Sequence, residues 1–113
     1  MISASGATKV FIATGITDMR KSFNGLYGLV QGVLKKDPLS GHLFIFCNRR
    51  RDRIKVLCWD GSGLWICAKR LEKGTFHWPA GDDPGAVELT AAQLHLLLGG
   101  LDLKATRGRG WLG

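Results

Sequence analysis

Two hydrophobic periods alternate along this chain, and each change of period marks an element. Residues 9–13 (Lys-Val-Phe-Ile-Ala) are rich in β-branched and aromatic side chains and predict a first strand, ended by Thr14-Gly15. Met19, Phe23, Leu26, Val30, Val33 and Leu34 then recur at helical spacing, and at about 100° per residue they form one apolar stripe. Thr17 suits the N-cap of that helix and Asp18 its positive end; Lys35 and Lys36 complement the other end, and Asp37-Pro38 stops it. After a Ser40-Gly41 turn, residues 42–47 read as a strand buried on both faces.

The next stretch predicts a hairpin. Residues 53–59 and 64–70 are strand-like, and the glycines of Asp60-Gly61-Ser62-Gly63 suit the positive φ of a tight turn. A turn centred on Gly61-Ser62 sets Arg53 opposite Arg70, Lys55 opposite Ala68 and Trp59 opposite Leu64. One end of the hairpin is thus basic and the other apolar. Residues 73–78 predict a further strand ended by Pro79, and residues 87–89 a short edge strand. Thr90 and Gln93 fit a capping box, followed by a second helix through Leu98 that Gly99-Gly100 ends. Together these elements predict one α+β domain over residues 1–103, an antiparallel sheet of about five strands with two helices. Residues 104–113, with Lys104, Arg107, Arg109 and Trp111 among glycines, read as a basic flexible tail.

Composition narrows the class. A chain of 113 residues with 45% apolar and 22% charged residues supports one core and excludes a large multidomain enzyme. No apolar run approaches the roughly 18 residues needed to cross a bilayer, and residues 1–6 lack the pattern of a signal peptide, so a cytoplasmic location is expected. Three cysteines, Cys47, Cys58 and Cys67, with no C-x-x-C pair, read as reduced core thiols. A zinc site from them with His42, His77 or His95 is disfavoured because all three lie in strand-like runs.

The net charge of +7 is unevenly placed. Arg49, Arg50, Arg51, Arg53, Lys55, Lys69, Arg70 and Lys73 stand against Asp52, Asp60 and Glu72, so five of the seven excess charges fall between residues 49 and 73. Such a field captures polyanions, nucleic acid or an acidic protein surface, or else it is a solvated face. Like charges directly opposite are destabilising, so an Arg53/Arg70 pair is better explained if both share an anion. Trp59, Trp65, Phe76 and Trp78 are interleaved with these charges and either pack in the core or stack on bases.

Gly25, Gly28 and Gly32 share the side of the first helix away from the apolar stripe, near Lys21, Lys35 and Lys36. Three interior glycines cost about 2 to 3 kcal/mol relative to alanine. Either a partner backbone or a phosphate chain approaches closely there, flanked by the lysines, or the helix breaks near Gly25 to Gly28 or packs those glycines on its own sheet. The partner-binding candidates are Arg20, Lys21, Gly25, Gly28 and Gly32, with Trp111 in the tail. No P-loop, G-x-S-x-G or H-E-x-x-H motif is present, and the carboxylates mostly occupy cap, turn and loop positions. The sequence predicts neither an enzyme nor a cofactor.

Five ordered segments carry a family resemblance: residues 17–26 (TDMRKSFNGL), 40–46 (SGHLFIF), 50–55 (RRDRIK), 59–64 (WDGSGL) and 69–79 (KRLEKGTFHWP). Together they resemble the small TnpB-type accessory protein of the insertion-sequence family numbered sixty-six, distinct from the RNA-guided nucleases that share the TnpB label. The resemblance runs from the first strand to the second helix. It implies a role in DNA transposition beside a separate, larger transposase that supplies the acidic catalytic residues. Signature positions are Thr17 to Lys21, then Lys69 to Glu72, Gly74, Phe76, Trp78 and Pro79. Two functions are compatible with this: DNA binding through the basic hairpin surface, or an adaptor that binds the transposase or another accessory protein. The sheet's edges leave room for pairing between subunits.

Overall fold

A computed structural model describes residues 8–79 and 84–99. The elements in chain order are β1 (Val10–Ile16), α1 (Phe23–Gly32), β2 (Leu43–Cys47), β3 (Arg53–Trp59), β4 (Leu64–Arg70), β5 (Ala86–Leu89) and α2 (Ala91–Leu98). Strand order in the single sheet is β4-β3-β2-β1-β5. The α+β class and the five strands are as the pattern predicts, but the sheet is mixed, because β1 pairs β2 in parallel while every other pair is antiparallel. The reason lies in the connection. Residues 17–42 carry a helix, which is the long crossover that adjacent parallel strands require.

Both faces of the sheet are covered. On one face Leu26, Val30 and Leu34 of the α1 region bury against Phe11, Phe44, Phe46 and Leu57. On the other, Phe76 and Leu97 close over Val10, Ile12, Ile45, Ile54 and Val56. All five residues of β2 are buried, which explains its unbroken apolar run.

Four local expectations change. Thr14-Gly15 does not end the first strand: β1 continues through both to Ile16, which pairs with Cys47 after a register shift. The helix begins at Phe23 behind Ser22, not behind Thr17. Thr17 is buried and its N–H donates to the Cys47 carbonyl (2.8 Å), while the Asp18 carboxylate accepts from the Arg20 N–H and folds residues 18–21 into a turn. The same Thr-Asp pair that suits an N-cap equally suits this turn. At the far end Val33 is the C-cap and Lys35 adopts φ 57°, so neither lysine lies in the helix. Residues 73–78 form no ladder: the Phe76 N–H donates to the Arg51 carbonyl, and the Trp78 indole donates to the Ala13 carbonyl (2.8 Å). This segment crosses the face of the sheet, anchored by its aromatics. The capping box is present, with Thr90 Oγ1 accepting from the Gln93 N–H and Gln93 Oε1 from the Thr90 N–H.

Candidate functional site

The hairpin register matches the turn-centred pairing at every position from Arg53↔Arg70 to Trp59↔Leu64. Asp60 fixes it. Its carboxylate accepts from the N–H groups of Ser62 (2.8 Å) and Gly63 (2.9 Å) and from the Trp65 indole (2.6 Å). These donors, the Ser62 amide foremost, hold the Asp60 carboxyl well below the usual carboxylate range.

At the opposite end, the C-terminal ends of β1 and β2, the β2–β3 loop and the outer ends of β3 and β4 come together. Asn48 organises the loop: its Oδ1 accepts from the N–H groups of Asp52 and Arg53 (both 3.1 Å), and its Nδ2 donates to Asp52 (2.7 Å). Arg49 and Arg50 are thereby left exposed at the tip. The N–H of Asp60 donates to Gly63 O and that of Leu71 to Asp52 O, so even-numbered β3 residues form the hydrogen-bonded pairs with β4. Arg53/Arg70 is therefore a non-hydrogen-bonded pair, the kind with the closer side chains.

Strand alternation sorts the predicted cations. Arg53, Lys55 and Arg70 lie on the α1 face, where an open groove of about 540 Å³ is lined by Met19, Arg53, Lys55, Ala68, Arg70 and Glu72, and is also bordered by Ile54 and Lys69, whose side chains alternate to the other face. Lys69 is on the other face; its ammonium donates to the Leu98 carbonyl at the end of α2, a favourable place for a cation. Arg51 also lies apart, at φ 60° with its guanidinium 5.5 Å from the Trp78 ring centre. Its Nη1 is buried without a hydrogen-bond partner among the described residues. Burial pushes the Cys47 thiol up, against the opposing influence of Arg51 nearby. Lys73 is exposed on the loop after β4.

The Thr17–Ser22 turn borders the same groove. Lys55 Nζ donates to the Lys21 carbonyl (2.8 Å), tying β3 to the start of α1, and Met19 contributes an apolar floor. The tie and the place of Met19 beside the groove were not legible in the sequence, where Met19 read only as part of the apolar stripe of a helix capped by Thr17. Arg20 pairs with Asp18 (2.6 Å), which pulls the Asp18 carboxyl down to about 2, and Arg70 pairs with Glu72 (3.2 Å). Among the described residues, Arg49, Arg50, Arg53 and Lys73 form no ion pair.

The three helix glycines differ from one another. A Cβ on Gly25 would lie 3.1 Å from the Lys21 Cβ, so this glycine accommodates the lysine stem. Gly28 and Gly32 face open space and the helix runs unbroken through them. Trp111 and residues 104–113 lie outside the described residues. Within the described residues no three His, Cys, Asp or Glu side chains gather as a metal site, and no helix is long and apolar enough to cross a membrane.

Comparison with known proteins assigns the chain. A family model described as IS66 Orf2 like protein matches residues 8–108. An uncharacterized protein of Sinorhizobium fredii, y4hO, is 44% identical over 102 residues, covering 90% of this chain and 88% of its own. A second from the same organism, y4jC, is 39% identical over 102 residues, 90% of this chain and 86% of its own. No solved structure matches. The match takes in both strands of the basic hairpin, the Thr17–Ser22 turn and α2, and on it the chain belongs to the IS66 Orf2-like family, accessory proteins of insertion-sequence transposition.

Proposed function

We propose that this chain is a nonenzymatic DNA-binding protein of its element, contacting phosphates through the basic end of the β3–β4 hairpin. The observation that supports this most is the Arg53/Arg70 pair, directly opposite across the strands at the rim of an open groove. Two arginines at directly opposed positions can bring both guanidinium groups to one phosphate, and a bound anion removes their mutual repulsion. Arg49 and Arg50 extend the surface from the loop and Lys73 from beyond β4. Lys55 lines the groove while its ammonium is tied to the Lys21 carbonyl, whereas the Lys69 ammonium is drawn to the end of α2 and Arg51 turns toward Trp78. The partners on this reading are insertion-sequence DNA and the separate transposase, in the cytoplasm.

About five neutralised phosphates give a slope of log K against log salt near −4 to −5 on duplex DNA, less steep on single strands. The test is fluorescence anisotropy with element-end and unrelated DNA at several salt concentrations. Replacing Arg50, Arg53 and Arg70 with alanine is expected to flatten the slope by about 2 to 3. An unchanged slope removes this surface from consideration.

The open ground beside Gly28 and Gly32 supports a second reading, an adaptor whose α1 face receives a protein partner. That reading requires a discrete complex with the transposase that depends weakly on salt and is lost in Gly28→Trp.

A further inference from the structure

The sheet has two outer edges. β5 is short, four residues, while β4 has seven, without proline or a bulge, and no other strand of the described residues pairs with its outer side. A long regular edge of this kind invites another strand. Because Trp65, Cys67 and Lys69 direct their backbone groups toward β3, the N–H and C=O groups of Leu64, Ile66, Ala68 and Arg70 point outward. We infer that β4 is the seam of a homodimer, pairing antiparallel with β4 of a second copy about a two-fold axis through Cys67.

Charge and backbone complementarity select that register. With the axis at Cys67, Leu64 meets the second copy's Arg70 and Ile66 meets its Ala68, so every outward N–H and C=O of the strand has a partner. Trp65, 45% exposed in the single chain, meets Lys69 of the other copy, whose aliphatic stem covers the indole. No two cations face each other. Moving the axis to Lys69 would set two lysines opposite, and moving it toward the turn would leave Arg70 and its outward groups unpaired. The chosen register separates the two basic ends by about 20 Å along the strands, more than two screening lengths at physiological salt, so a chain of net charge +7 can associate there. Residues 64 and 70 share a face, so both Arg53/Arg70 pairs end on the same side of the joined sheet. The seam stands whether or not that side binds DNA.

Cys67 reports on the geometry. In this register it meets its own copy as a non-hydrogen-bonded pair, with Cα atoms about 4.5 Å apart, inside the range a disulfide spans. With diamide as oxidant, taking up two electrons and two protons from the two thiols, a covalent dimer is expected on a nonreducing gel. It is expected to vanish in Cys67→Ser and to persist in Cys47→Ser and Cys58→Ser. Light scattering on the reduced protein is expected to give twice the chain mass at high micromolar concentration. Ala68→Pro deletes an outward N–H while sparing every bond to β3, and is expected to give a folded monomer. If that variant fails to fold, hydrogen exchange on the unaltered protein decides: the Ile66 and Ala68 amides gain protection as concentration rises, whereas Cys67 is protected throughout. A chain that stays monomeric with no Cys67 crosslink overturns the inference, as does a dimer in which those two amides remain unprotected.

Discussion

Replacing Arg53 with glutamate separates what the Arg53/Arg70 pair does for the fold from what it does for a ligand. The two residues face each other as a non-hydrogen-bonded pair, and Arg70 already has an exposed partner in Glu72, a contact worth little by itself. Two unit charges about 6 Å apart in water repel by about 0.7 kcal/mol, and physiological salt roughly halves that. Reversing one sign removes the repulsion and adds a similar attraction, so Arg53→Glu is expected to stabilise the protein by about 0.5 to 1 kcal/mol. For a domain of this size that raises Tm by about 2 to 6 °C. The gain shrinks as salt is added.

Binding moves the other way. The variant loses a charge-assisted phosphate contact and places a carboxylate in the groove, so DNA affinity is expected to fall at least about tenfold, with the salt slope shallower by about 1. Calorimetry at two salt concentrations and anisotropy titrations measure both sides on one protein sample. A variant that is both stabler and a poorer binder identifies the pair as kept for an anion at a cost in stability. A variant that is less stable, or one that binds DNA as well as the parent, refutes that reasoning.

Other consequences follow from the described contacts. Because Asp60 has its pKa depressed by the turn's donors and Asp18 has its lowered to about 2 by Arg20, both contribute stability above their unfolded value near 4 and lose it as pH falls below that; in an acid titration followed by the Trp65 indole NMR signal, Asp60→Asn is expected to flatten the dependence between pH 4 and 2. Gly28 has open space and an ordinary helical backbone, so Gly28→Ala is expected to add about 1 kcal/mol in urea unfolding; a loss would mean that something packs on it. Phe46 is fully buried, and Phe46→Ala is expected to cost about 3 to 5 kcal/mol, a large share of a typical domain's stability. Thr90→Ala removes the capping box and is expected to cost about 1 kcal/mol, seen as faster hydrogen exchange in α2.

Features set by nearest neighbours were legible in the sequence. The Gly61-Ser62 turn dictates the register of the whole hairpin, since side chains alternate with period 2 and a one-residue slip would turn Lys55 to the face that buries Ile54 and Val56. The capping box and the doubly buried β2 were legible for the same local reasons. Strand direction was not, because an apolar run has no polarity and only the crossover through α1 makes β1 and β2 parallel. The start of α1 was misplaced because Thr17 and Asp18 satisfy a cap and a turn equally well, and the choice is made by Cys47, thirty residues away. Residues 73–78 have strand composition, yet Phe76 and Trp78 use it to anchor a crossing segment. Within the candidate site, the separation of Lys69 from Arg70 was available from alternation alone. Arg51 was not, since its left-handed backbone turns it toward Trp78.

The distribution of satisfied and unsatisfied cations is the step that joins fold to function. Lys55 and Lys69 are each occupied by the protein itself, through the Lys21 and Leu98 carbonyls, while Arg51 is turned inward beside the Trp78 ring with its buried Nη1 unpartnered among the described residues. On the proposed reading, this sorting leaves one group of cations for the ligand. Those committed to the fold sit on the inner wall or the opposite face, while Arg49, Arg50 and Arg53 stand without a carboxylate partner among the described residues, and Arg70 has only an exposed one. Asn48 spends both ends of its amide on holding the loop that presents Arg49 and Arg50, an ordering cost that a floppy arginine cluster would avoid. Exposed cations on a stiffened loop beside a forced arginine pair amount to a preorganised charge array. Such an array gains affinity for a polyanion because little of its geometry has to be fixed on binding.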